Sequence, residues 1–211
     1  MLPAKVAFAL AGLVRSVQFT GSTLIDLILA RHQGNAHVYV STWNIIGQMN
    51  KGVFGFGDKI VPASRVSALL KGIYDTYLKD SDVLNYEQYK PLLDALSVRQ
   101  LYYGGGEHIH ILNVIRMIRE SEGLYDMIVI TRPDVFWNSY TQFISTYPNL
   151  HIKVSYDKPK IKHHTIKVYP GTVVVHKEGS EFAGNTYFAG DWVLAGAAST
   201  MLRWEEFFSY A

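Results

Sequence analysis

The stretch that decides the fold is Met127–Asp134, which reads MIVITRPD. Its first five residues are apolar or β-favouring without alternation, which is typical of a parallel-sheet strand covered on both faces. Pro133 lacks a backbone donor and ends the ladder there. The stretch therefore predicts a central strand that delivers Arg132 and Asp134 to its carboxyl end, on one face if the extended geometry persists.

A strand–helix–strand unit is predicted near the start of the chain. Lys5–Ala11 is a second continuous apolar run, and it ends at Gly12. Thr20–Arg31 has helical spacing of apolar residues and is closed by Gly34, a common helix stop. His37–Ser41 follows as a short strand. This order indicates a βαβ unit, whose crossover is expected to be right-handed.

The next part of the chain is mainly helical in its pattern. Apolar spacing predicts helices over Ser64–Tyr77, Asn85–Leu96 and Glu107–Glu122, with a polar break at Lys79–Asp82. Ile45–Ile60 is rich in glycine and aromatic residues and has no usable period, so it is predicted as a loop. Loops of this length usually have a function.

The last third changes character. Between residues 141 and 176, short β-rich runs are separated by Pro and Gly, at His151–Ser155, Thr165–Tyr169 and Thr172–His176. A closing helix is predicted from about Trp192 to Phe208. The predicted class is α/β, with a mixed, mainly parallel sheet flanked by helices in residues 1–137 and a smaller β-rich half in 138–211, all in one domain.

Composition excludes several classes of protein. The 211 residues are 48% hydrophobic and 18% charged, which excludes a disordered, collagenous or coiled-coil chain. A net charge of +2, with basic residues concentrated only around Lys153–Lys167, is too weak for a dedicated nucleic-acid binder. The absence of cysteine excludes disulfides and thiolate metal sites.

The short apolar segment Val6–Val14 is the one candidate for a targeting sequence. It falls well short of the roughly 20 residues that a membrane span needs, and no small-residue cleavage site follows. We therefore interpret it as a buried strand and predict a soluble, cytoplasmic protein without a membrane span. The chain stops at Ala211 without a helix cap, which suggests a module cut from a longer polypeptide.

Polar residues follow three of the predicted strands, where open α/β sheets bind their ligands. They are Gly12–Arg15, Ser41–Asn44 and Arg132–Asp134. A carboxylate beside an arginine suits a metal-bridged diphosphate, because Asp134 can hold Mg²⁺ or Mn²⁺ while Arg132 takes a phosphate oxygen. The alternative is a surface ion pair that closes the strand.

These segments resemble those of glycosyltransferases with the GT-A fold. Tyr125–Asp126, the apolar strand and Arg132–Asp134 are similar to their Tyr-Asp, strand, Arg-x-Asp signature, for which Asp-x-Asp is the usual metal motif. Gly12–Arg15 resembles the loop that contacts the nucleotide, Val38–Trp43 the second strand, and Gly190–Trp192 the late acidic segment that faces the acceptor. The resemblance spans almost the whole chain and extends to the amino-terminal transferase domain of a longer viral protein, which would act in the host-cell cytoplasm.

The resemblance implies transfer of a hexose or deoxyhexose from a nucleotide-sugar, UDP-hexose above all, to a glycan hydroxyl, metal-assisted and inverting. The implied partners are this donor, a glycan acceptor and further domains of a longer polypeptide. The implied site residues are Gly12, Arg15, Thr42, Trp43, Arg132 and Asp134 for the nucleotide-sugar, Asp134 for Mn²⁺ or Mg²⁺, Asp191 as catalytic base and Trp192 for the acceptor. One departure is that Arg132 stands where most of the superfamily has its first aspartate. The rival hypothesis is a non-catalytic nucleotide- or carbohydrate-binding module.

Several of these residues have simpler interpretations. Asp191 is as well explained as the N-cap of the predicted closing helix, and Trp192 as a core aromatic. A literal Asp-x-Asp at Asp80–Asp82 is better explained as a solvated loop that caps the next helix. Gly104–Gly106 lacks the Lys-Ser/Thr of a P-loop and is interpreted as glycines that let a helix approach the ligand.

Overall fold

The structure is a computed structural model, and it describes residues 2–32, 34–46, 59–95, 105–135, 137, 141–146, 149–155, 163–168, 173–175 and 193–203. The strands are β1 (Leu2–Pro3), β2 (Val6–Ala11), β3 (Ala36–Trp43), β4 (Ile45–Ile46), β5 (Lys59–Ile60), β6 (Leu78–Leu84), β7 (Met127–Thr131), β8 (Thr141–Thr146), β9 (Asn149–Ser155), β10 (His163–Val168), β11 (Val173–Val175) and β12 (Val193–Ala197). The α-helices are α1 (Val17–Leu27), α2 (Ala63–Tyr74), α3 (Tyr86–Ala95), α4 (Gly105–Glu120) and α5 (Ala198–Met201).

The main sheet has the strand order β11–β12–β7–β2–β3–β6. β7, β2, β3 and β6 are parallel, while β12 pairs antiparallel with β7. Since β11 pairs antiparallel with β12, it runs with the first four. Five of the six described strands therefore share one direction, which confirms the predicted α/β class with a mainly parallel sheet flanked by helices.

Successive side chains of β2 point to opposite faces of the sheet, and both faces are buried. Phe8 and its same-face neighbours pack against α1 and α2, where Leu24 and Leu70 are buried. Ala9 and the other small residues of β2 face α4, where Ile115 is buried. Each such aliphatic side chain contributes roughly 1.5–3 kcal/mol by leaving water. Burial on both sides is the reason the strand sequences are continuously apolar.

The winding of the chain changes direction beside β2. From β2 the chain moves through α1 to β3 and then through α2 to β6, and after α4 it returns to β7 on the other side of β2. The helix that leaves β2 thus covers one face of the sheet together with α2, and the helix that leads into β7 covers the other. Such a switch point opens a crevice at the carboxyl ends of the two strands.

A second sheet contains β1, β8, β9 and β10 in that order, and its neighbouring strands are antiparallel. The β-rich runs predicted after residue 141 correspond to β9, β10 and β11, whereas β8 was not predicted. β11 belongs to the main sheet, and β1 joins the second sheet from the start of the chain. Both sheets therefore draw on distant parts of the sequence.

The polar break predicted at Lys79–Asp82 is wrong, because these residues lie within β6. The interpretation of Asp80 and Asp82 as a solvated helix-capping loop is wrong for the same reason. Asn85 performs the capping instead, since its Oδ1 accepts the Glu87 backbone N–H at 3.1 Å. β6 is the last described strand at its side of the main sheet, where charged residues are tolerated and discourage pairing with other chains.

The closing helix predicted from Trp192 to Phe208 is also wrong in its described part. Val193–Ala197 is a strand that pairs with β7 in register Val193↔Thr131, and the helix after it is short. An apolar run of five residues suits a buried strand or a buried helix equally well, and the pairing with β7 decides between them. Residues 204–208 lie outside the described residues.

The other predicted helices are confirmed with shifted ends. The helix predicted over Thr20–Arg31 begins at Val17 and ends at Leu27, and a 3₁₀ turn follows at Leu29–His32. The predicted loop Ile45–Ile60 begins and ends in two short paired strands, and residues 47–58 lie outside the described residues. Within the described residues, none of the helices has the length and apolarity that crossing a membrane would require.

Candidate functional site

A turn follows β7 and brings Arg132 against Asp134. Arg132 donates from Nε to Oδ1 at 2.8 Å and from Nη2 to Oδ2 at 2.6 Å. The Val135 backbone N–H closes the turn on the Arg132 carbonyl at 3.3 Å. The extended geometry does not persist, and the two side chains meet because the chain turns. The bidentate pair fixes the plane of the guanidinium.

The loop after β2 brings a second guanidinium to the same carboxylate. Gly12 has a φ of 118°, a conformation that favours glycine, and its N–H donates to the Ser41 carbonyl at 3.1 Å. Arg15 Nη1 then lies 3.9 Å from Asp134 Oδ2. The buried Arg15 Nε has no hydrogen-bond partner among the described residues. Two guanidinium groups therefore lie around one carboxylate here, and guanidinium groups match anions such as phosphate in geometry and charge.

Helix α1 holds the turn after β7 in place. Thr20 donates from Oγ1 to the Pro133 carbonyl at 2.7 Å, and Thr23 Oγ1 accepts the Trp137 N–H at 3.0 Å. The Trp137 ring packs edge-on against Phe8 of β2, with centroids 5.9 Å apart. Arg132 and Asp134 are therefore mounted on packed elements, which favours a fixed geometry for ligand binding.

The α4 side of the same edge adds residues that the sequence predictions missed. Glu107, Thr131 and Arg132 line a cavity of about 10 Å³, about the space of one water molecule. Thr131 Oγ1 is buried and has no hydrogen-bond partner among the described residues. The available signals were the position of Thr131 as the last residue of the strand and the negative charge of Glu107 at the start of its helix.

Thr42 and Trp43 lie on β3, next to β2. Thr42 is 0% exposed, and Trp43 is 5% exposed beneath Tyr86, Tyr89 and His110. The structure thus brings Arg15, Arg132 and Asp134 together, whereas these two side chains are largely occupied by packing. Their predicted contact with the base or ribose stays a prediction.

Asp191 and Trp192 lie outside the described residues, so their predicted roles as catalytic base and acceptor platform stay predictions. Val193, two residues after Asp191 in the sequence, pairs with Thr131 at the carboxyl end of β7.

A buried polar chain links β3, β6 and α4, and the sequence predictions missed it. His110 Nδ1 lies 2.8 Å from Ser41 Oγ, which accepts from Asn113 Nδ2 at 3.0 Å. Asn113 also donates to Asp82 Oδ2 at 2.7 Å. Burial lowers the pKa of His110 to about 3, so the ring is neutral at pH 7. Because His110 is 0% exposed, it does not meet a ligand from solvent, and these hydrogen bonds have a structural role.

The described residues do not fit a divalent cation as they are arranged. Both oxygens of Asp134 are held by Arg132, and Arg15 adds a further positive charge. Within the described part of the chain, no group of three or more His, Asp or Glu side chains could hold a metal ion. A cation at Asp134 would have to displace a guanidinium, so the predicted Mn²⁺ or Mg²⁺ stays a prediction that needs its own test.

No family model, curated protein or solved structure matches this chain.

Proposed function

We propose that the chain is a glycosyltransferase of GT-A type that binds a nucleotide-sugar, UDP-hexose above all, at the crevice between β2 and β7. The observation that carries this proposal is the convergence of Arg15 and Arg132 on Asp134 at that point. The resemblance of the Arg132–Asp134 segment to the signature of these enzymes supports it, as does the mainly parallel sheet with its switch point.

The first step is binding of the donor diphosphate. Arg132 and Arg15 take phosphate oxygens, because guanidinium groups match phosphate in geometry and charge. Asp134 orients both guanidinium groups before the donor arrives. The amino-terminal end of α1 follows the Gly12–Arg15 loop directly and adds a favourable dipole for an anion.

The second step is sugar transfer. Asp191 accepts the proton of the acceptor hydroxyl, whose oxygen attacks the anomeric carbon from the face opposite the diphosphate. The bond between the anomeric carbon and the diphosphate oxygen breaks, and its electron pair leaves with the diphosphate. Arg132 and Arg15 stabilise the negative charge that develops there. No step is assigned to a cation, since the described residues do not fit one.

A non-catalytic nucleotide-binding module is the second candidate, and one observation favours it. Asp134 is occupied as the acceptor of Arg132, so its carboxylate is not free to hold a metal ion that would assist transfer. Such a module binds the same nucleotide-diphosphate and turns over nothing.

Calorimetry with a panel of nucleotide-sugars, each with Mn²⁺ and with EDTA, tests the proposal. We expect UDP-hexose to bind the wild-type chain and Arg132→Ala to weaken binding by about 10- to 100-fold, since charge-assisted hydrogen bonds contribute about 1.5–3 kcal/mol. Arg65→Ala is the matched control, because Arg65 is exposed on α2, away from β7. Donor hydrolysis measured on the same proteins separates the enzyme from the module.

Each outcome decides a different part of the proposal. Binding without hydrolysis or transfer in any condition supports the module. Binding that needs Mn²⁺ supports the predicted metal site at Asp134 and contradicts the arginine-only arrangement. If no nucleotide-sugar or nucleotide-diphosphate binds at all, both candidate functions are wrong.

A further inference from the structure

A cavity of about 380 Å³ opens at the opposite edge of the main sheet from the proposed donor site. His37 and Tyr39 line it from the start of β3, and Lys79 and Asp80 line it from the start of β6. Tyr125 closes it just before β7 begins. All of these residues lie at the amino ends of parallel strands. The size falls within the range of small-molecule pockets.

The floor of this cavity is a hydrogen-bonded aromatic group. The Tyr125 hydroxyl lies 2.8 Å from His37 Nδ1 and 2.8 Å from the Tyr39 hydroxyl. The Tyr125 ring stands edge-on to both neighbouring rings, with centroids 5.6 and 6.1 Å away. The Lys5 ammonium lies 5.4 Å from the Tyr125 ring centroid, so this ring already has one cation against it. The floor is thus preformed, and its rings are suited to the carbon chain of a ligand.

The wall opposite β6 is the carboxyl end of α4. Met117, Glu120 and Glu122 line the cavity there. The carboxyl end of a 16-residue helix carries a partial negative charge, which favours cations. The carboxylates of Glu120 and Glu122 add to it, and Asp80 faces them from β6.

Charge on the cavity walls is negative in balance. The side chains of Asp80, Glu120 and Glu122 outnumber the two nearby lysines, Lys5 and Lys79. Burial lowers the pKa of His37, and the two lysines lower it further, so the ring stays neutral at pH 7. Burial also raises the pKa of Tyr125, which keeps its hydroxyl neutral.

From this cavity, its aromatic floor and its negative walls, we infer that the chain binds a small organic cation with at least one ammonium group at this edge. The ammonium group lies between the end of α4 and β6, where it meets carboxylates, and its carbon chain packs on Met117 and the tyrosine rings. Nothing in this inference depends on glycosyl transfer, since the two sites lie at opposite edges of the sheet.

Calorimetric titration with 1,4-diaminobutane at low salt tests the inference. We expect saturable binding to one site and at least tenfold weaker binding to the Glu120→Gln/Glu122→Gln variant. Asp26→Asn/Glu87→Gln removes the same charge at exposed positions of α1 and α3 and should bind within twofold of the wild type. The neutral analogue 1,4-butanediol should not bind measurably.

Three results would overturn the inference. The first is the absence of saturable heat with the wild-type chain. The second is an equal loss of affinity in the two double variants, which would mean that only overall charge matters. The third is butanediol binding as tightly as the diamine, which would remove the role of the ammonium group. All four substituted residues are solvent-exposed, so each variant is expected to fold.

Discussion

The hydrogen bonds around His110 occupy one of its two ring nitrogens. Arg116 donates to Asn113 Oδ1, so the Asn113 amide nitrogen faces Ser41 and Asp82 and donates to both. Ser41 Oγ accepts from Asn113 and keeps both a proton and a lone pair for the contact with His110 Nδ1. His110 Nε2 is buried without a hydrogen-bond partner among the described residues. A second proton would add an unpaired charge to the core.

The free energy of unfolding is therefore expected to fall in mild acid. Burial lowers the pKa of His110 from 6.5 to about 3. Between these two values the unfolded chain binds a proton at this residue and the folded chain does not. The stabilisation is fully present above pH 6.5 and is lost progressively as the pH falls towards 3. From this residue alone we expect a loss of about 1.5 kcal/mol between pH 6.5 and about 5. Urea unfolding across this range measures it.

The variant His110→Gln isolates the contribution of His110 to the pH dependence of the unfolding free energy. The variant should be less stable at pH 7 but should show a shallower dependence on pH. Part of the slope will remain, because burial also lowers the pKa of His32. A variant whose unfolding free energy keeps the full wild-type slope between pH 6.5 and 5 would show that His110 does not titrate in this way.

Single residues of the candidate site were predictable only where they directly follow a predicted strand in the sequence. Arg132 and Asp134 follow a continuous apolar strand, so their position at its carboxyl end was expected from local pattern alone, whereas their bidentate contact depends on the turn. Glu107 was not expected there, because α4 reaches the edge of β7 only through packing between distant elements. Local periodicity carries no information about such a contact.

At the scale of elements, the errors came from strands with weak local signals. β6 contains Lys79, Asp80 and Asp82, which disfavour a strand by propensity, yet pairing with β3 outweighs that preference. β12 contains small residues at which helix and strand patterns coincide. The long amphipathic α4 and the continuous strand β7 were predicted well, since their periods are unambiguous.

Alanine substitutions at two glycines, one in α1 and one in α2, are expected to change the stability of the fold in opposite directions. A Cβ built on Gly21 of α1 would lie 2.6 Å from Ile73 Cγ2 of α2, whereas one built on Gly72 of α2 would meet no atom within 4 Å. We expect Gly21→Ala to destabilise the fold by about 1–3 kcal/mol, because the β-branched side chain of Ile73 is restricted at χ1 and cannot easily move away from the added methyl group. Gly72→Ala should stabilise it by about 0.5–1 kcal/mol through helix propensity. Thermal and urea unfolding measure both effects.

The two variants control for each other, since each adds one methyl group inside a helix. Stabilisation by both substitutions would show that α1 and α2 are not in close contact at Gly21. Destabilisation by both would show that Gly72 has neighbours that the structure does not place there.

For the whole molecule, the position of the candidate donor site follows from the order of the strands. Arg15 and Arg132 lie more than a hundred residues apart in the sequence, and they meet because β2 and β7 are adjacent parallel strands whose carboxyl ends lie side by side. The sequence predicted these two strands and the polar residues that follow them. It could not predict which strands are neighbours, because that depends on how the two helical layers cover the sheet.

One sheet shared by two helical layers should unfold in a single step. Leu70 of α2 is buried on one face of the sheet, and Ile115 of α4 is buried on the other. We expect Leu70→Ala and Ile115→Ala each to lower the unfolding free energy by about 2–5 kcal/mol. Both should leave one urea transition, with circular dichroism and tryptophan fluorescence superimposed.

Tryptophan fluorescence can detect a failure of this coupling, because Trp137 packs against Phe8 on the α1 side and Trp43 packs against His110 of α4. If the two layers were independent, Ile115→Ala would shift the Trp43 signal to lower urea and leave the Trp137 signal where it is. Single-tryptophan variants, made with the other tryptophans changed to Phe, distinguish the two signals. Coincident shifts are expected, since removal of either layer exposes one whole face of β2 and β7 to water.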